Sequence, residues 1–191
     1  MAIIELIKYG ADIHKQDNKG NTPLLTYCLT SSIAEDLITL IEYGANVNKA
    51  NNNGETLLMA ACKRWEEKLV KILIEYGVDI NKQDNKGNTP LHIACKYHIP
   101  GVTIDKYLIE KGANINIPNN DGETPLFVIC YKYNEFLAEY YIEHGAKVNI
   151  KNKNGDTPLK IASLYNTKDV VDTLIEHGAK YSLKKIVLII N

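Results

Sequence analysis

Asp84-Asn85-Lys86-Gly87-Asn88-Thr89-Pro90-Leu91-His92-Ile93-Ala94-Cys95 is the stretch on which the reading of this chain turns. Its first half is rich in residues that tolerate turns. Its second half opens a helix, because Thr is a good N-cap and Pro is tolerated at the first helical position. Working outward, each such stretch is followed by a second helical pattern with apolar residues at i, i+1, i+4 and i+5, as in Leu69, Val70, Leu73, Ile74 and in Val170, Val171, Leu174, Ile175. A glycine such as Gly77 ends that helix, since glycine occupies the left-handed cap position without penalty.

The unit recurs. Thr22, Thr56, Thr89, Thr124 and Thr157 follow one another at steps of 34, 33, 35 and 33 residues. The helix-ending glycines Gly10, Gly44, Gly77, Gly112, Gly145 and Gly178 step by 34, 33, 35, 33 and 33. Two independent markers thus share one period and one set of irregularities, which defines a repeat array. From the small residue closing the first helix to the next glycine, the gaps are 16, 15, 17, 15 and 15 residues. The extra residues therefore lie between the two helices of the first and third full repeats, and Pro100 and Gly101 mark the second of these loops.

The text from Asp84 to Cys95, followed by Leu108-Ile109-Glu110-Lys111-Gly112-Ala113-Asn114-Ile115-Asn116, resembles the ankyrin repeat family over roughly residues 1 to 181. The periodicity itself predicts an all-α, two-helix repeat solenoid. The resemblance adds stacked helix-turn-helix units with β-hairpin-like loops at one edge and a concave face. It implies one domain over 1–191: a half repeat at 1–16, repeats at about 17–50, 51–83, 84–118, 119–151 and 152–181, and a tail or improvised cap at 182–191. Departures from the family pattern are specific. Leu57 replaces Pro, the His after Thr-Pro-Leu survives only as His92, and Tyr27 and Ile129 stand where a small Ala is usual. Residues 2 to 9 read as a second helix lacking its first-helix partner, and Ile186 to Ile190 is strongly apolar. A solenoid needs polar ends, so either that run folds back as a cap or the chain belongs to a longer array.

Composition bounds the function. Of 191 residues, 45% are apolar and 24% charged, with net charge −1, which is ordinary for a globular protein and gives no general drive toward nucleic acid or anionic membrane. Ile186 to Ile190 falls far short of the roughly 20 residues of a spanning helix. Met1 to Gly10 carries Glu5 and Lys8 and is no signal peptide. Four cysteines, Cys28, Cys62, Cys95 and Cys130, occupy one repeat position. Equivalent helices lie about 8–10 Å apart, too far for a disulfide or a shared zinc ion, so the ladder is expected to be small buried core residues. Unpaired thiols point to a reducing, cytoplasmic setting. Lys (21), Asn (20) and Ile (24) are abundant, a bias attributed to an AT-rich genome and discounted as a functional signal.

No catalytic pattern emerges. His144 and His177 precede helix-ending glycines, where a cation suits the helix dipole. His14 and His98 read as single loop residues, and no His-Glu-x-x-His or Gly-x-Ser-x-Gly spacing exists. Glu42, Glu75, Glu110, Glu143 and Glu176 read as a row of solvated helix carboxylates. No cofactor, metal or small-molecule substrate is expected. Two residues per repeat after the cysteine position are not dictated by the scaffold: Leu29-Thr30, Lys63-Arg64, Lys96-Tyr97, Tyr131-Lys132 and Leu164-Tyr165. The resemblance places them on the concave face. Trp65 and Tyr133 follow where the family commonly has Gly. Tyr, Trp and Arg dominate binding hot spots. The candidate partner site is therefore Lys63, Arg64, Trp65, Lys96, Tyr97, Tyr131, Lys132 and Tyr165, with an acidic or extended segment of another protein as its target. The expected role is an intracellular protein-interaction module; the alternative is the ankyrin part of a larger enzyme or effector whose catalytic residues lie elsewhere.

Overall fold

A computed structural model describes residues 5, 7–30, 34–98, 103–131, 135–165 and 168–181. Pro100 and Gly101, Lys132 and Tyr133, and the tail at 182–191 lie outside the described residues. Ten named helices stand among those described, in five pairs, and no strand is among them. The pairs are α1 (Pro23–Thr30) with α2 (Ala34–Glu42), α3 (Leu57–Arg64) with α4 (Glu67–Glu75), α5 (Pro90–Lys96) with α6 (Ile104–Glu110), α7 (Pro125–Cys130) with α8 (Glu135–Glu143), and α9 (Pro158–Leu164) with α10 (Lys168–Glu176). No described helix is long and apolar enough to cross a membrane.

The helices start where threonine stops the preceding loop. The side chains of Thr22, Thr56, Thr89 and Thr157 accept from the amides of Leu25, Met59, His92 and Lys160 at 3.2–3.4 Å. Leu57 does not disturb this, because the cap is supplied by Thr56. His92 completes a reciprocal box: its Nδ1 accepts from the Thr89 amide at 3.1 Å. Thr124 makes no such side-chain cap bond. There Phe127, standing where His92 stands in the third repeat, is wholly buried, and its amide donates to the Thr124 carbonyl at 2.9 Å.

The fold divides into two compact units, residues 1–113 and 114–191. In the first, α1 packs on α3 and α3 on α5, while each first helix also packs on its own second helix. Leu24, Leu58, Ala61, Leu73, Leu91, Ala94, Ile104 and Leu108 form its core. Cys28, Cys62 and Cys95 are buried among them as free thiols, as the shared repeat position predicts. In the second unit α7 packs on α8 and α9, and α10 on both α8 and α9. Its core holds Leu126, Phe127, Ile129, Cys130, Tyr141, Leu159, Ala162 and Leu174. The predicted inner positions of the second helices hold, with Leu69, Val70, Leu73, Val170 and Leu174 buried, but Ile175 is exposed. The five glutamates from Glu42 to Glu176 are all exposed, as a solvated ladder should be.

Hairpin-like turns join the repeats. Asn51 N donates to Glu55 O at 3.1 Å, Asp84 N to Asn88 O at 2.9 Å, and Asn152 N to Asp156 O at 2.9 Å. Neighbouring turns are tied by single backbone bonds: Asn52 N to Lys19 O at 3.0 Å, Asn85 N to Asn53 O at 3.0 Å, and Lys153 N to Asp121 O at 2.8 Å. Asparagine is the residue that joins layers. Asn48, Asn116 and Asn149 accept from the amides of Asp79, Lys147 and Lys180 at 2.9–3.0 Å. Asn116 and Asn149 also donate to the carbonyls of Gly145 and Gly178 at 2.9 Å. The asparagine content is therefore structural at these positions, beyond any genomic bias. Tyr27, at the position usual for alanine, donates to the Asp36 carboxylate and lines an apolar recess of about 160 Å³ with Ile7, Ile13, Pro23 and Leu40.

Candidate functional site

The predicted partner residues stand at the carbonyl ends of the first helices. Lys63 and Arg64 close α3 and Lys96 closes α5; Trp65, Tyr97, Tyr131 and Tyr165 are the capping residues of α3, α5, α7 and α9. A helix C-terminus carries partial negative charge, so Lys and Arg are favoured there for reasons of stability alone. What distinguishes a binding group is therefore whether its side chain is already engaged.

In the first unit Tyr97 is the centre of a cluster. The Lys63 ammonium lies 5.9 Å from its ring centroid and the Lys96 ammonium 5.8 Å, so two cations of adjacent repeats share one ring. Tyr97 is 36% exposed, and both lysines are exposed. Lys63 is 3.8 Å from Glu55, a turn residue whose mixed-sign surroundings carry no binding signal in the sequence. Lys96 and the Tyr97 ring face solvent.

Arg64 is placed differently. Its Nη1 donates to the Leu29 carbonyl at 3.0 Å and its Nη2 lies 3.9 Å from Glu66. It ties α3 to the preceding repeat. Trp65 takes the left-handed conformation, φ 62° and ψ 29°, and is the one non-glycine residue with positive φ among those described. The family's glycine at this position is explained by that backbone, which costs an L-residue roughly 1–2 kcal/mol. The Trp65 ring packs edge-on against His98, with centroids 6.3 Å apart and planes at 83°. His98 is thus more than a loop residue: its Nδ1 lies 3.4 Å from the buried Asp105 carboxylate. The sequence offers no signal for this contact.

In the second unit Tyr131 and Tyr165 meet edge to face, centroids 5.1 Å apart at 86°. The Tyr131 hydroxyl donates to Glu123 at 2.8 Å, and Asn152 donates to the same oxygen at 3.3 Å. Burial, with the carboxylate beside it, pushes the Tyr131 phenol well above its ordinary range. Tyr131 is therefore held in place, while Tyr165, which packs on it, and the neighbouring Leu164 are exposed. The cluster around Tyr97 belongs to the first unit and the Tyr131–Tyr165 pair to the second.

The remaining titratable groups are engaged in structure. The imidazoles of His144 and His177 donate from Nδ1 to the carbonyls of Tyr140 and Thr173 at 2.7 and 2.9 Å, closing their helix ends by hydrogen bonds. Burial pushes the Cys28 and Cys130 thiols up to about 12, and raises Cys62 further. Nucleophilic thiolates are not available from such groups. Among the described residues no three His, Cys, Asp or Glu side chains converge as a metal ion would require.

The family model described as ankyrin repeats matches the chain in three overlapping copies, over residues 2–84, 30–119 and 101–185. No curated protein matches the sequence.

Proposed function

Because the chain belongs to the ankyrin repeat family, whose arrays are generally protein-interaction modules and typically non-catalytic, we propose that it binds an acidic, extended segment of another protein through the Lys63–Tyr97–Lys96 cluster. The observation that carries this reading is the pair of ammonium groups flanking one exposed tyrosine ring. Two carboxylates spaced along a peptide would each meet a cation while the intervening backbone lies on the ring. A charged rim around an aromatic anchor is the usual composition of a binding hot spot. The buried, unreactive thiols fit a protein that works in a reducing, cytoplasmic setting.

Selection of displayed 12-residue peptides tests the reading. Acidic sequences should be enriched on the unmodified chain, lost on Lys96→Glu and weakened by Tyr97→Ala, with helicity unchanged in both. Their affinity should fall as salt rises from 50 to 500 mM, because exposed charge pairs are screened. Equal recovery of acidic, neutral and basic peptides, or enrichment that survives Lys96→Glu, would overturn it.

A further inference from the structure

Asp105 is the second residue of α6, a position at which an acid ordinarily sits in solvent beside the helix N-terminus. Here it is 1% exposed. Neither carboxylate oxygen has a hydrogen-bond partner of ordinary geometry. A buried carboxylate so placed is strongly disfavoured unless a cation compensates it or a proton neutralises it. The nearest candidate is His98, whose Nδ1 stands 3.4 Å away, is itself buried and has no hydrogen-bond partner. Trp65 packs edge-on against the imidazole.

The groups around the pair are few. From α3 comes the Cys62 thiol, which burial keeps protonated. Arg64 and Glu66, on either side of Trp65, pair with each other. From α4, Lys71 is bonded to Glu67 at 2.7 Å and lies 5.7 Å from the Tyr107 ring of α6. On α6 itself, the backbone amides of Lys106 and Asp105, and then the Lys106 charge, also help to hold the negative charge of Asp105, each less than His98 does.

We propose that His98 and Asp105 form a one-proton latch that ties the residue after the α5 cap to the first turn of α6, with Trp65 packed on its imidazole. One proton shared by the two groups makes the pair neutral, whichever atom carries it. Its loss leaves one uncompensated negative charge in the interior. Burial pushes the Asp105 carboxyl above its usual range, with His98 pulling it back. A group whose proton is held more tightly in the folded than in the unfolded chain stabilises the fold at low pH, and that contribution disappears as pH rises through the folded value. The latch therefore holds below that folded value and loosens above it. It loosens directly beside Tyr97, whose chain neighbour is His98. The inference stands on the pair's own geometry and does not depend on what Tyr97 binds.

Trp65 is the only tryptophan, so its emission reports on the imidazole it packs against. A protonated imidazole beside an indole quenches it. Fluorescence followed from pH 5 to 9 should show a one-proton rise that His98→Gln abolishes. Asp105→Asn should move the midpoint, because the proton is then no longer shared with a carboxylate. In the unmodified chain, the amides of Ile104 to Leu108 should open up to about ten-fold more per pH unit above the midpoint, after correction for the intrinsic exchange rate. A rise unchanged by His98→Gln, or the same midpoint in Asp105→Asn, would overturn the latch. Should either variant fail to fold, the exchange measurement on the unmodified chain decides: opening independent of pH would refute it.

Discussion

Gly54 and Gly77 have nearly the same backbone and should respond very differently to a single methyl group. Their φ angles are +75° and +72°. An alanine at either pays the left-handed penalty of about 1–2 kcal/mol, partly offset by a less flexible unfolded chain worth about 0.4–1 kcal/mol. Both terms cancel in the comparison. What remains is the neighbourhood. A Cβ on Gly77 would meet nothing within 4 Å, whereas one on Gly54 would lie 2.7 Å from the backbone nitrogen and 2.7 Å from Oδ1 of Asn85 in the next turn. Backbone cannot swing aside as a side chain can. The turns must separate, which strains the Asn85 N to Asn53 O bond at 3.0 Å and the Asn85 Nδ2 to Asn52 O bond at 2.8 Å. At about 0.5–1.5 kcal/mol each, the two bonds set the difference at roughly 1–3 kcal/mol. Urea unfolding followed by circular dichroism should place Gly54→Ala that far below Gly77→Ala. Equal midpoints for the two variants would refute the view that turn-to-turn contact, and not glycine's conformational freedom alone, holds neighbouring repeats together.

Other consequences are simpler. Leu73→Ala and Leu108→Ala, at wholly buried positions, should each cost about 2–5 kcal/mol in urea unfolding, whereas Tyr97→Ala should change stability by less than about 0.5 kcal/mol. Equal losses in the two sets would contradict the separation of core from binding surface. A thiol reagent at pH 8 should leave Cys28, Cys62, Cys95 and Cys130 unmodified in the folded chain and label all four in 6 M guanidinium, since burial raises the thiols at Cys28, Cys62 and Cys130 and holds Cys95 out of solvent. Fast labelling of the native chain would show that the core opens. Asn149→Ala removes two bonds to the end of the next layer. It should cost about 1–2 kcal/mol and speed exchange at the Lys180 amide, and unchanged exchange there would count against asparagine as the inter-layer tie.

Much of this molecule is readable from its sequence because a repeat announces itself twice, in period and in caps. Thr-Pro-Leu and the glycine some 20 residues later mark the start of one helix and the end of the next. Four threonines cap as their position predicts, and Leu57 shows that the cap, not the proline, carries the signal. The single cysteine position per repeat already implied a buried ladder. The Tyr97 cluster was legible as position and composition, since Lys63, Lys96 and Tyr97 occupy variable places at equivalent helix ends.

Which of those side chains is free was settled only by tertiary structure. Period tells which residues are equivalent, and says nothing of where a long side chain reaches one layer away. Arg64 bonds to Leu29, 35 residues earlier, and Asn48 to Asp79, 31 residues later. Asp105 reads in the sequence as an ordinary acid in the first turn of a helix. Its burial depends on tertiary packing, which sets His98 beside its carboxyl and Trp65 against that imidazole. Local pattern determined the elements, since caps and apolar spacing act within one or two turns of chain. Burial and ion pairing depend on what lies in the next layer, so which side chains are engaged and which stay exposed was decided by the stacking.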